Sequence, residues 1–414
     1  MSSPNSKRIV YLQYTNPAAY PPIIHSSTIL AEQGWKVLLL GTHSGGSNAL
    51  VGTPHENIET RLMNYCAPGW KQKIHYLLFC LWCYFWTLRW RPDWIYASDL
   101  WSCFPALLLR RLFSVPFIYH EHDAPVNIGG QPGGTHPSAF LRFCAWARRK
   151  SAQAAKLCVI PNDERAKLFA AETGTDRPIH VVWNCPRLNE ISAPREPLPG
   201  GPLHLLYHGS IVPERLPLAV IHALRKVNLP VVLHVVGYET AGSRGHVALL
   251  EGTARDLGIP ERLHIVGQLP LRQSLMEFCS SCDAGLALLP ASQQDINLVH
   301  MAGASNKVFD YMSRGLAVIV PPGSPWRELF VEPGYGLVCD PSDATSVAQA
   351  IGYLCEHPIE TRSMGERGRQ RILRDWNYES QFERVHAVLT GGAISGVSGA
   401  NPDESANRHR LALR

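Results

Sequence analysis

Twice along its 414 residues the chain runs through the same alternation of short apolar stretches and longer helical patterns. In the first 190 residues the short stretches are RIVYLQY, KVLLLG, DWIYASD, PFIYHEHD, KLCVIPN and IHVVWN. They are aliphatic or β-branched on both faces, which predicts strands of a parallel sheet covered by helices on either side. A second series follows residue 202: LHLLYHG, VVLHVVG, RLHIVG, DAGLALLP, LAVIVPP and GLVC. Helical patterns near 344–356 and 361–374 close it, with a further candidate at 378–390. Between the two series lies NEISAPREPLPGGP, residues 189–202, rich in proline and glycine and without periodicity, which reads as a linker. The expected fold class is therefore α/β, with two Rossmann-like domains whose parallel sheets face a central cleft. Ligands are expected at the carboxyl ends of the strands. A chain of this length also exceeds a single core of ordinary size. The boundaries read 1–190, linker 191–202, 203–377, helix 378–390 and a small, polar, glycine-rich tail over 391–414, predicted to be disordered.

Charge is unevenly spread. Residues 1–190 hold 19 Lys and Arg against 12 Asp and Glu, net +7, whereas the remainder holds 20 against 22, net −2. A basic first half suits an anionic partner such as a membrane surface or a phosphorylated acceptor, and equally a solvated surface. The segment IHYLLFCLWCYFWTL, with His75 as its first ionisable group and bounded by Lys71, Lys73, Arg89 and Arg91, is too short in its uncharged core to span a bilayer. It reads as a helix buried in its domain, or as one whose edge rests at a lipid interface. Eleven cysteines without a secretory start favour reduced thiols and a cytoplasmic location. The pairs Cys80/Cys83 and Cys279/Cys282 have no neighbouring His or Cys cluster, so buried packing is the expected role and no metal is expected.

No G-x-G-x-x-G follows the first strand, and P-loop, H-E-x-x-H and G-x-S-x-G motifs are missing. Three strand ends carry the chemistry instead. In YHGSIVPER, Gly209 and Ser210 sit where backbone N–H groups can approach a phosphate, and Arg215 follows within reach. In ASNKVFDYMSRG, Ser305 is a candidate helix cap, so that the first-turn N–H groups and Lys307 suit a pyrophosphate. Asp310 shares a helix face with Asn306 and Lys307 and is placed to accept the hydroxyls of a ribose; the plain alternative is a surface i, i+3 ion pair with Lys307. In YHEHDAPV, His120, Glu121, His122 and Asp123 end a strand on the cleft side, ahead of the glycine-rich loop IGGQPGGTH.

In this order the pieces resemble the retaining glycosyltransferases of the GT-B fold, family 4 or "group 1". RPDWIYASD and VPFIYHEHD are similar to family strands of the first half, with His122 at the family histidine position. YHGSIVPERLP is similar to the phosphate loop, and CDAGLALLP, SNKVFDYMSRGLAVIV, GYGLVCDPSD and MGERGRQRILRDWNYE follow in family order. The resemblance implies a nucleotide-sugar donor held by the second domain and a glycan or lipid-linked acceptor held by the first. It implies transfer with retention, without a metal or other cofactor, and by front-face attack. Arg215 and Lys307 would neutralise the departing diphosphate, with His122 on the transferred sugar. Gly209, Ser210, Gly237, Gly267, Ser305, Asn306 and Asp310 would form the nucleotide-sugar site. The helix 378–390 would cross back to the first domain, and contact with the inner face of a membrane through that domain is an expectation; a nucleic-acid partner is not. Three positions depart from the pattern: Ala302 stands where a glutamate is usual, Asp310 where a second glutamate is usual, and Ser210 where an arginine is usual. A nucleotide-sugar 2-epimerase and a non-catalytic nucleotide-sugar-binding scaffold are the alternatives.

Overall fold

A computed structural model describes residues 6–45, 49–125, 139–194, 201–240, 242–289 and 296–392. The glycine-rich loop at 128–136, most of the 391–414 tail and the middle of the 191–202 linker lie outside the described residues.

Seven strands form the first sheet: β1 (Arg8–Leu12), β2 (Lys36–Thr42), β3 (Ile58–Met63), β4 (Trp94–Ser98), β5 (Phe117–His120), β6 (Leu157–Ile160) and β7 (Ile179–Val181). Six form the second: β8 (Leu203–Ile211), β9 (Val231–Glu239), β10 (Leu263–Gly267), β11 (Ala284–Leu286), β12 (Ala317–Val320) and β13 (Gly336–Val338). The orders are 3-2-1-4-5-6-7 and 10-9-8-11-12-13. Every pairing is parallel. The strand patterns explain why. β5, β6 and β12 are buried at every position, so neither face can meet water and helices must cover both. Each sheet accordingly has two apolar cores, one per face. Cys80 and Cys83 fill one of these cores and Cys279 and Cys282 another; burial pushes the Cys80 thiol up to about 12.

Both sheets reverse strand order in the middle, at β1/β4 and at β8/β11, and such switch points open a crevice beyond the strand ends. The two crevices face each other because polar side chains pin the domains together. Asn162 Nδ2 donates to the carbonyls of His300 and Ala302 at 2.7 and 3.1 Å, and Asn184 Nδ2 to that of Ala304 at 2.5 Å. The buried Arg165 donates to the carbonyls of His122 and Asn297 at 2.7 and 2.5 Å. Asn297 in turn exchanges two hydrogen bonds with the backbone of Ala124, 2.7 and 2.8 Å long.

The helix Tyr378–Thr390, capped by the Asn377 side chain, belongs to the core of the first domain. Tyr378, Phe382, Val385 and Leu389 pack with Ile9, Tyr11, Ile118 and Val159. The Tyr378 hydroxyl donates to the Pro22 carbonyl at 3.0 Å. Arg187 fixes the start of this helix, bonding Glu379 and Glu32 together. Phe382→Ala is expected to lower the stability of the chain by about 3–5 kcal/mol, read from chemical denaturation, because it opens a cavity in a core completed from both ends of the sequence.

Candidate active site

Beside the switch point of the second sheet, the end of β8 is built on a pair of glycines. Gly209 on β8 pairs with Gly237 on β9, and both adopt positive φ, 112° and 152°. A Cβ on Gly237 would lie 1.8 Å from the Gly209 carbonyl oxygen, and one on Gly209 would lie 2.9 Å from the Lys307 ammonium. The missing side chain of Gly209 therefore makes room for Lys307 at the strand end, and that of Gly237 lets the two backbones approach. Ser305 occupies the cap position of the helix Asn306–Ser313, yet its hydroxyl makes no capping bond and lines the cleft instead.

Lys307 is buried, with its ammonium 5.8 Å from the Tyr207 ring centroid, and among the described residues no carboxylate forms an ion pair with it. Burial, reinforced by the nearby Arg215 guanidinium and opposed by Asp310, lowers its pKa to about 7. Arg215 lies in the turn after β8, where its guanidinium donates to Ser210 Oγ at 2.9 Å. The serine that replaces the usual arginine thus positions the arginine five residues on.

Three adjoining cavities meet at Arg215, two of them also at Lys307. One of about 210 Å³ extends along Gly209, Gly237, Tyr238 and Leu269 and ends at Lys307. A second, about 180 Å³, holds Ser305, Asn306 and Lys307 on one wall and His122, Asp123 and Tyr20 on the other. The third, about 420 Å³, opens into the first domain between Tyr14, Asp99 and Trp101. Arg215 lines all three.

His122, rather than His120, faces this junction. Its Nε2 lies 3.0 Å from Ser98 Oγ, and burial lowers its pKa to about 4, so it is neutral at pH 7. His120 is fully buried behind it and bonded to the Tyr96 hydroxyl at 2.8 Å.

Two of the expected site residues lie away from the three cavities. Asp310 is fully buried and does not line the cavities; its carboxylate accepts from Arg272 at 2.6 and 3.3 Å and from Asn306 at 3.0 Å. Its ion-pair partner is Arg272 rather than Lys307, with the Arg272 guanidinium 2.6 Å from its carboxylate. Its effect on the site is indirect, through Arg272 and Asn306, which do line the first cavity. Arg272 also donates to Glu190 at 2.5 and 3.0 Å, joining the two domains. Gly267 ends β10 beside open space, and Gln268, Leu269 and Pro270 line the cavity in its place.

Sequence reasoning missed Arg272 and Asp99. Arg272 opens a helix in LRQSLMEF, with no motif to distinguish it. Asp99 was visible only as the last letter of YASD. It holds φ 62° and ψ 174°, a conformation close to glycine-only. The His122 amide donates to one of its oxygens at 2.8 Å and Gln13 Nε2 to the other at 3.3 Å. Burial first, and the neighbouring Asp123 second, push its carboxyl up to about 7.

Two parallel α/β domains whose switch points face each other across an anion-ready cleft define the GT-B class of glycosyltransferase. Sequence comparison agrees: residues 27–185 match the family described as "Glycosyl transferase 4-like domain" and residues 221–387 that described as "Glycosyl transferase-like". The chain belongs to the group 1, family 4-like, GT-B glycosyltransferases. A curated relative, a glycogen synthase of Mycobacterium tuberculosis, is 23% identical over 402 residues, spanning 87% of this chain and 90% of that protein. Among solved structures, a sucrose-phosphate synthase from Thermosynechococcus elongatus superposes with a TM-score of 0.69 at 15% identity, covering 93% of this chain and 98% of that one. HepE of Anabaena, solved with UDP and glucose, gives a TM-score of 0.66 at 14% identity, covering 93% of this chain and 100% of that one.

A buried, uncompensated ammonium costs stability, and the sign of its pH dependence follows from the lowered pKa. The unfolded chain keeps the Lys307 proton up to about 10.5 and the folded chain only to about 7, so the cost is full below pH 7 and fades between the two values. Lys307→Met is expected to raise the melting temperature at pH 7. Its advantage over the parent should narrow as pH is raised towards 10, as followed by thermal unfolding across that range.

Proposed function

We propose that the chain transfers a sugar from a nucleoside-diphosphate sugar to a hydroxyl of a glycan or lipid-linked acceptor, with retention of anomeric configuration and without a metal ion. The observation that carries this reading is the buried Lys307 ammonium, without a carboxylate ion pair among the described residues, lining two adjoining cavities beside Arg215, which also lines the third. Such a cation is stabilised by an anion, and a diphosphate supplies one of the right charge and length.

The cavities divide the substrates. The nucleoside lies along Gly237, Tyr238 and Leu269; the diphosphate lies at Lys307, Arg215 and the amides that open the helix Asn306–Ser313. The sugar then occupies the cavity walled by His122, which as a neutral imidazole contacts a hydroxyl and does not act as an acid at pH 7. In the transfer step the bond from the anomeric carbon to the β-phosphate oxygen breaks, and its electron pair leaves with the diphosphate. The acceptor oxygen bonds to that carbon from the same face, and its proton passes to the diphosphate. The protein contributes position and two cations aimed at the charge that develops, a contribution in keeping with metal independence.

On the acceptor side, Asp99 is the one strained carboxylate in the third cavity, between Tyr14 and Trp101. Aromatic walls and a carboxylate acceptor suit a sugar ring and its hydroxyl, and we assign Asp99 the acceptor-positioning role.

A thermal-shift screen against UDP-, GDP-, ADP- and TDP-sugars identifies the donor, since binding raises the melting temperature by mass action. With that donor, Lys307→Ala and Arg215→Ala are each expected to reduce transfer at least tenfold while the variants remain folded, and EDTA to leave it intact. Full activity in both variants, or a strict need for a divalent ion, contradicts the reading. Asp99→Asn is expected to raise the acceptor KM at least tenfold and to leave donor affinity unchanged; a change in donor affinity instead removes the acceptor assignment. Nucleotide binding without any product would favour the scaffold alternative.

A further inference from the structure

The helix Trp70–Trp90 buries only one side. Tyr76, Phe79, Cys80 and Cys83 pack into the first domain. On the opposite side Ile74, Leu77, Leu78, Leu81, Phe85 and Leu88 are 49% to 63% exposed, and Trp70 at the start is 68% exposed. At about 100° per residue these seven positions fall within an arc roughly 100° wide, a continuous apolar stripe along a helix about 31 Å long. Most monomeric proteins do not leave so long an apolar stripe in water. The stripe also explains why the sequence pattern admitted both a buried helix and an interfacial one: each description fits one face.

Charge indicates what covers it. Lys71 and Arg89 lie along one edge of the stripe and Lys73 along the other. Neither this helix nor its neighbours Leu100–Phe113 and Ala139–Ala154 contains an aspartate or glutamate. The neighbours add exposed Arg110, Arg111, Arg142, Arg149 and Lys150, together with exposed Leu112 and Trp146. Apolar side chains fringed by cations, with no carboxylate on the three helices, match an anionic lipid surface. Among the described residues no helix is long and apolar enough to cross a membrane, so the contact is one of lying on the surface.

We infer that the Trp70–Trp90 helix docks the first domain onto an anionic lipid bilayer, with its apolar stripe in the headgroup–acyl boundary and its flanking lysines and arginines on the lipid phosphates. The position is suited to a lipid-linked acceptor. His75 Nδ1 lies 2.8 Å from the Tyr14 hydroxyl, and the Tyr76 hydroxyl donates to the Trp101 carbonyl at 2.9 Å. Tyr14 and Trp101 line the cavity assigned to the acceptor, so the stripe begins beside that cavity. The docking itself does not depend on the transfer reading, because it is measured without donor or acceptor.

The test is co-sedimentation of the full chain with vesicles of phosphatidylcholine alone and of phosphatidylcholine with phosphatidylglycerol, alongside sedimentation velocity without lipid. The parent chain is expected to bind the phosphatidylglycerol vesicles at least tenfold more strongly than the neutral ones, and less strongly as salt is raised. Leu77→Glu combined with Leu81→Glu is expected to reduce that binding at least tenfold with an unchanged melting temperature. Lys71→Glu combined with Arg89→Glu should remove most of the preference for anionic vesicles and cannot open a cavity, since both side chains are exposed. Absence of vesicle binding by the parent chain overturns the inference. So does a dimer in solution that the Leu77→Glu, Leu81→Glu variant dissociates, which would mean that a second copy covers the stripe.

Discussion

A lysine ammonium held out of water at the end of β8, with its nearest carboxylate committed elsewhere, is the constraint on which the rest of the site depends. Gly209 gives up its side chain to admit Lys307, and Gly237 gives up its own to admit the Gly209 backbone. Arg272 takes Asp310 away from it, and Arg215 adds a second positive charge nearby. Each of these would be a defect in a domain selected for stability alone. On the function proposed above they form a preorganised receptor for a diphosphate, whose binding would return the electrostatic energy withheld in the free protein.

The same network sets how the two domains meet. Arg272 bonds Asp310 beneath the helix Asn306–Ser313 and Glu190 at the end of the first domain, and Glu190 approaches His25 at 3.2 Å. Arg187 ties Glu32 to Glu379 on the helix that returns from the second domain. Cations between carboxylates thus span the boundary beside the cleft, while Asn162, Arg165 and Asn297 span it at the other cavity wall. The charges that position the domains and the charges that face the cleft belong to neighbouring parts of one arrangement.

Much of this was legible in the sequence, and the exceptions have physical causes. The apolar runs located twelve of the strands because even the partly buried edge strands IHV and LHIVG are mostly aliphatic, and the central strands are apolar on both faces. β3, IETRLM, escaped because it lies at the sheet edge, only partly buried, with Glu59 and Arg61 on one face. The strand-end glycines, Arg215 and Lys307 were readable because spacing places them at one end of one sheet. The fate of Asp310 was not, since its partner Arg272 is distant in sequence and only packing decides which cation it meets. Nor was the backbone of Asp99, because a positive φ at a non-glycine residue is imposed by the surrounding structure. The helix Trp70–Trp90 was readable as a helix, but which apolar face would remain uncovered depended on where the sheet ended beneath it.

The central claim is that the cleft is built around a diphosphate at Lys307. A crystal structure of the chain with whichever of UDP, GDP, ADP and TDP raises its melting temperature most tests this directly. The account predicts phosphate oxygens within hydrogen-bonding distance of Lys307 Nζ, of the Arg215 guanidinium and of the backbone amides at residues 305–307. A diphosphate bound elsewhere, or none of the four bound at all, would contradict it.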